Sequence, residues 1–128
     1  MRAGRTLRQI VIARIADQVP ALTAVVDRAT EGTVYPYATL GASYWTDDSV
    51  ECIEAREITL QIDLWHSQSN KGVAEDLTDD IATALRGWAD TDALTMHPLR
   101  VSLVRVMDDP DGQSVHGVIQ VEGLVEAD

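Results

Sequence analysis

The apolar residues of this chain switch from a repeat of two to a repeat of four in mid-sequence, and that switch constrains the fold more than any other feature. Over 58–65, Ile58, Leu60, Ile62 and Leu64 alternate with Thr59, Gln61 and Asp63. A period of two places the aliphatic set on one face of a strand. After a polar stretch over 67–72, Val73, Leu77, Ile81 and Leu85 recur every fourth residue, with Ala74, Ala84 and Trp88 on the same side. At about 100° per residue this is the buried stripe of a helix. Glu75, Asp76, Asp79, Asp80, Thr83 and Arg86 fill the opposite arc and read as its solvated face. Glu75 and Asp76 are expected in its first turns, beside the positive end of the helix dipole. The helix must then fold back onto the apolar face of the strand.

Two further strands follow. Val101, Leu103, Val104 and Val106 mark one over 99–107. Val115, Ile119, Val121 and Val125 mark another over 115–125, with His116, Gln120 and Glu122 facing the other way. Between them Pro110-Asp111-Gly112 has turn chemistry: proline presets one dihedral, aspartate caps, and glycine takes the left-handed conformation. Two long strands about such a turn make an antiparallel hairpin.

Upstream the signals are shorter. Leu7, Ile10, Val11 and Ile15 fit a helix with one apolar side, and Leu22, Val25, Val26 and Ala29 continue the spacing after Pro20 until Gly32, as a second short helix or as one helix bent near Val19. Residues 34–40 read as a strand, with Pro36 at a sheet edge or a strand start, and 41–55 as the longest loop. The expected fold is α+β, an antiparallel sheet of about four strands with helices packed on it. The chain of 128 residues forms one domain over 1–128, large enough to bury about two-thirds of its unfolded surface.

No spacing in the sequence supports catalysis. His66, His97 and His116 lie far apart without ligand spacing, so no metal site is expected. Asp108, Asp109 and Asp111 around Gly112 lack the complete calcium-loop run and its closing glutamate, and a turn accounts for them. Cys52 has no local signature of a nucleophile, and neither Gly-rich phosphate motif occurs. No cofactor is implied, and the chain is not expected to be an enzyme.

The net charge of −11 opposes nucleic-acid binding, which needs clustered cations to release counterions. The basic start, with Arg2, Arg5, Arg8 and Arg14 before Asp17, resembles a signal peptide only superficially. Arg14 interrupts its apolar stretch and no small-residue cleavage site follows. No apolar run approaches the roughly 18 residues of a membrane span, and a single Cys52 fits a protein made in a reducing cytoplasm.

What remains is contact chemistry. Tyr44 and Trp45 in the long loop, with Tyr35 and Tyr37 beside it, are aromatic groups next to Asp47, Asp48, Glu51 and Glu54. Aromatic anchors in a charged rim are common at protein interfaces, although Tyr35 and Tyr37 also suit packing on a sheet. Tyr44, Trp45, Arg5 and Arg8 are therefore the candidate contacts with a subunit or partner. Asp47, Asp48, Asp108, Asp109 and Asp111 are the candidate acidic loops.

Four segments together resemble a known family: Tyr35-Pro36-Tyr37-Ala38-Thr39-Leu40-Gly41, the strand ITLQIDLWHS over 58–67, the helix over 73–85, and the ending DPDGQSVHGVIQVEGLVE. The chain is similar over about 7–126 to the tail completion proteins of tailed phages, prophages and gene transfer agents, which act as tail terminators or tail-to-head joining proteins. His66 stands between Trp65 and Ser67 where many relatives run Trp directly to Ser. The resemblance implies a homo-oligomeric ring, usually hexameric, that caps the tail tube and meets the head-completion or stopper protein in the virion. It also implies an α+β fold. A ring around a DNA conduit should repel its cargo, and the acidic loops suit that task; solubility alone would also account for the charge. The competing readings are a head-side neck protein, a small-ligand-binding α+β domain with its pocket between sheet and helices, and, weakest, a hydrolase.

Overall fold

The computed structural model describes residues 1–127. In chain order they form helix α1 (Gly4–Gln18), strands β1 (Ala24–Val26), β2 (Tyr37–Asp47) and β3 (Ala55–Ser67), a 3-10 turn (Gln68–Asn70), helix α2 (Lys71–Leu85), and strands β4 (Thr95–Met96), β5 (Arg100–Asp108) and β6 (Ser114–Glu126). The sheet runs β1-β2-β3-β6, and both β4 and β5 pair with β6. Because β3 occupies one edge of β6 from Ala55↔Glu126 to Ser67↔Ser114, β4 and β5 share its other edge.

The α+β expectation holds, with more strands than the four expected and one parallel pair, β1 on β2. The parallel strand replaces the helix expected over 22–29. An isolated helix of two turns is marginal, and Thr23, Val25 and Val26 are β-branched. The edge of β2 offers them a ladder, begun by the Thr23 amide donating to the Pro36 carbonyl at 2.8 Å.

The expected loop over 41–55 is mostly strand. A bulge between Leu40 and Ser43 absorbs Gly41 and Ala42, after which Tyr44, Trp45 and Thr46 pair with Thr59, Ile58 and Glu57. Aromatic and β-branched residues favour that extended conformation. Only 48–54 remain as the hairpin turn.

Both helices lie on one face of the sheet. Ile58, Leu60, Ile62 and Leu64 of β3 join Leu7, Val11 and Ile15 of α1 and Leu77, Ile81 and Leu85 of α2 in a single core. Gly117 sets the approach of α2, because a Cβ there would lie 2.3 Å from Thr78 Oγ1. The helix therefore rests directly on the β6 backbone, and the Thr78 hydroxyl donates to the Ala74 carbonyl at 2.7 Å.

Val73 departs from the expected stripe, being 47% exposed while Ala74 is fully buried. A strict repeat of four drifts about 40° per step at 100° per residue, so Val73 and Leu85 stand about 120° apart around the axis. The helix also begins earlier than expected, at Lys71. Glu75 and Asp76 thus sit past its first turn, where the dipole has little hold on them, and Trp88 lies beyond its end.

Candidate assembly surfaces

The strands place the candidate residues at two ends and one face of the sheet. At one end, the β2–β3 turn carries Asp47, Asp48, Glu51 and Glu54 beside the exposed side chains of Tyr44, Trp45, Val50 and Ile53. Trp45 is 52% exposed, and the Arg56 guanidinium covers one side of its ring at 3.8 Å from the centroid. The Asp47 carboxylate accepts from the Ser49 amide at 3.0 Å. The hydrogen bonds from Ser49 hold its pKa below the ordinary carboxylate value. Ser49 also ties the turn together by accepting from the Ala55 amide at 2.9 Å. The N-terminal ammonium lies 3.6 Å from Glu54, which brings the start of α1 to this end.

At the opposite end, the β5–β6 turn carries Asp108, Asp109 and Asp111. Asp111 accepts from the amides of Gln113 at 2.8 Å and Ser114 at 2.9 Å, and from the Ser114 hydroxyl. The Ser114 hydroxyl is the first of the causes that lower its pKa, followed by the two amides. Asp109 accepts from the Asp111 amide at 3.1 Å, and Asp108 pairs with Lys71 at 3.4 Å. These carboxylates hold a turn, as the sequence suggested. Tyr35 stacks on Tyr37 with ring centroids 5.7 Å apart and lies 6.1 Å from His66. Burial, then Tyr35 and Asp111, raise the Tyr37 pKa. Burial lowers that of His66.

The structure therefore separates what the sequence grouped. Tyr35 and Tyr37 stand about 25 Å from Trp45 along β2, and the two acidic loops are about 40 Å apart along β3, at roughly 3.3 Å per strand residue. No single patch of one chain contains both acidic loops.

The basic residues of α1 also divide. Arg8 is held within its own chain, donating to Asp27 at 2.8 Å, the Gly41 carbonyl at 3.2 Å and Ser43 Oγ at 3.4 Å. Arg5 is exposed and, among the described residues, makes no ion pair. Arg14 donates to the Ala84 carbonyl at 2.9 Å and lies over Trp88, so it joins the two helices.

The face of the sheet away from the helices carries a set the sequence did not reveal. Trp65 stacks on His116 with centroids 4.0 Å apart, and its indole N–H donates to Thr39 at 3.2 Å. His116 Nε2 lies 2.7 Å from Asp63 Oδ1, which also accepts from Gln61 at 2.8 Å. A Cβ on Gly41 would lie 2.6 Å from Asp63 Oδ2, so glycine leaves room for that carboxylate. Arg100 bridges Glu57 and Glu122 on the same face. Period two in Gln61-Asp63-Trp65 hinted at this polar face, but the meeting of Trp65 with His116 depends on the β3–β6 register, which no local signal gives. Among the described residues the buried polar atoms of this network all have hydrogen-bond partners, and Cys52 lies in the β2–β3 turn, at the other end of β3 from His116.

Comparison with known proteins agrees with this architecture. The sequence matches the family of tail completion protein gp17 over residues 7–126. No curated protein sequence matches it. The fold is similar to a chain in the virion of a native gene transfer agent particle, with a TM-score of 0.73 at 16% identity over 91% of this chain and 94% of that one. It is also similar to the gp17 protein of bacteriophage SPP1, with a TM-score of 0.60 at 19% identity over 98% of this chain and 91% of that one. The chain belongs to the tail completion protein gp17 family.

Proposed function

We propose that the chain completes a phage-type tail as a homo-oligomeric ring, stopping growth of the tail tube and joining it to a head-completion protein. The family match over 7–126 carries this reading. Gene transfer agent and phage relatives with the same fold support it, as does the gathering of exposed aromatic and acidic side chains at the two ends of the sheet. A ring between tube and head needs two axial contacts, and a sheet with exposed Val50 and Ile53 in the turn at one end and Tyr35 and Asp108–Asp111 at the other offers two. The role is structural rather than enzymatic. The small-ligand reading is less favoured: at Gly117 α2 rests directly on the β6 backbone, which leaves no room at that point for a pocket between helix and sheet.

The DNA conduit follows in a more specific form. Asp47 and Asp48 share a lumen with Asp108, Asp109 and Asp111 only if the strands run along the conduit, since the two loops are about 40 Å apart. A net charge of −11 then repels passing phosphate. Particles lacking this protein should yield separate heads and tails of uneven length, and adding the purified protein should restore joining. Normal particles without it would refute the reading.

A further inference from the structure

We infer that neighbouring copies join head to tail by extending the sheet, β5 of one copy pairing with the outer part of β2 in the next. The inference rests on the self-associating reading above and names its contact. Among the described residues β5 pairs only with β6, so its outer row of backbone groups is free over Arg100–Asp108. At the other side of the sheet β1 covers only Tyr37, Ala38 and Thr39 of β2. Arg8 takes the Gly41 carbonyl, and the row is open from Ala42 to Asp47. Unpaired edges of this kind are templates for another strand. Both carry exposed large apolar side chains: Leu103 at 44% and Val104 at 38% on β5, Tyr44 at 58% and Trp45 at 52% on β2.

Direction, face and charge all match. In the order β2-β3-β6-β5 each neighbour is antiparallel, so β5 of one copy meets β2 of the next in the same antiparallel sense. Leu103 faces the side away from the helices through Gln120 and Gln61, and Tyr44 faces that side through Thr59. Val101 and Trp45 both face the helix side, through Val121 and Ile58. The bulge between Val101 and Leu103 lets both pairs form in one register, with Leu103 opposite Tyr44 and Val101 opposite Trp45. Arg100 then lies opposite Thr46, one residue from Asp47 and two from Asp48, while exposed Arg105 lies at the other end of the contact, opposite Ala42. Within one chain Arg100 is level with Tyr44 through Glu122 and Thr59. The pairing thus staggers each copy by two residues, about 7 Å, as a sheet closing on itself requires. The bulge and the arginines also discourage indiscriminate edge pairing. The contact is heterologous, the kind that generates rings.

Cysteine cross-linking tests it. In a Cys52→Ser background, Tyr44→Cys and Leu103→Cys are made singly and together. Within one chain β2 and β5 are three strand spacings apart, about 14 Å, beyond the roughly 7 Å between Cα atoms that a disulfide spans. Any such bond is therefore between copies. Under mild oxidation, free and on tail tubes, the double variant should form a ladder of linked multimers. An equal mixture of the single variants should stop at a linked heterodimer, and each single variant alone should stay unlinked. Self-linking of Leu103→Cys alone would show a two-fold β5 contact and overturn the proposal. Absence of linkage while the unmodified protein is multimeric by light scattering would overturn this contact and leave the ring standing. A protein that is monomeric both free and on tail tubes would remove the ring itself.

Discussion

Ile81 and Val73 belong to the same every-fourth repeat, yet truncating them should have opposite consequences. Ile81 is fully buried between α2 and the sheet, whereas Val73 is 47% exposed. Ile81→Ala removes three carbons from the core, about 2.4 kcal/mol at roughly 0.8 kcal/mol per buried methylene. A cavity that the packed layers only partly refill adds to this, for a total of about 3 kcal/mol. With an unfolding entropy of about 2.1 cal/mol/K per residue, a domain of 128 residues should lose about 10 °C in Tm. Val73→Ala gives up a little partial burial and gains helix propensity, so its net effect should stay within about 0.5 kcal/mol, or 2 °C. Thermal unfolding followed by circular dichroism at neutral pH measures both. Equal losses for the two variants would show that α2 is rotated relative to the sheet and refute the packing described here.

Three other outcomes follow. Gly117→Ala should cost about 1–3 kcal/mol by driving a methyl into Thr78 Oγ1, and Thr78→Ala should relieve part of that loss; strictly additive losses in a double-mutant cycle would deny the contact. Asp111→Ala should lower Tm at neutral pH. Because the folded pKa of Asp111 lies below its ordinary value of 3.8, its contribution is present above that value and fades as pH falls through the folded one; a difference that persists undiminished at lower pH would count against the hydrogen-bonded carboxylate. Trp45→Ala should leave the far-UV spectrum of the purified protein unchanged while reducing the yield of joined particles, and full particle yield would exclude the β2 edge as a contact.

The strongest periodic segments were legible from sequence because each is decided by its own residues. Ile58, Leu60, Ile62 and Leu64 lie on the buried face of β3, and Leu77, Ile81 and Leu85 bury one side of α2. The errors arise where tertiary partners decide. Leu22, Val25 and Val26 have helical spacing, but the open edge of β2 draws Ala24–Val26 into a strand. Gly41, Ala42 and Ser43 look like loop residues, and a bulge carries them inside a strand. Of the candidate contact residues, Tyr44, Trp45 and Arg5 are exposed, whereas Arg8 is occupied by Asp27, Gly41 and Ser43 of its own chain. The separation of the two acidic loops by about 40 Å, and the bare edge at Leu103 and Val104, depend on strand order. Strand order is a non-local property that residue periodicity does not encode.

The central claim is that this protein closes a tail as a ring, and its mass with and without assembled tail tubes tests that claim most directly. Native mass measurement of the protein, cross-linked in place on the tubes and then dissociated from them, should give one uniform multiple of the chain mass, with one such assembly per tube. Tubes that carry single copies, or an open range of copy numbers, would contradict it.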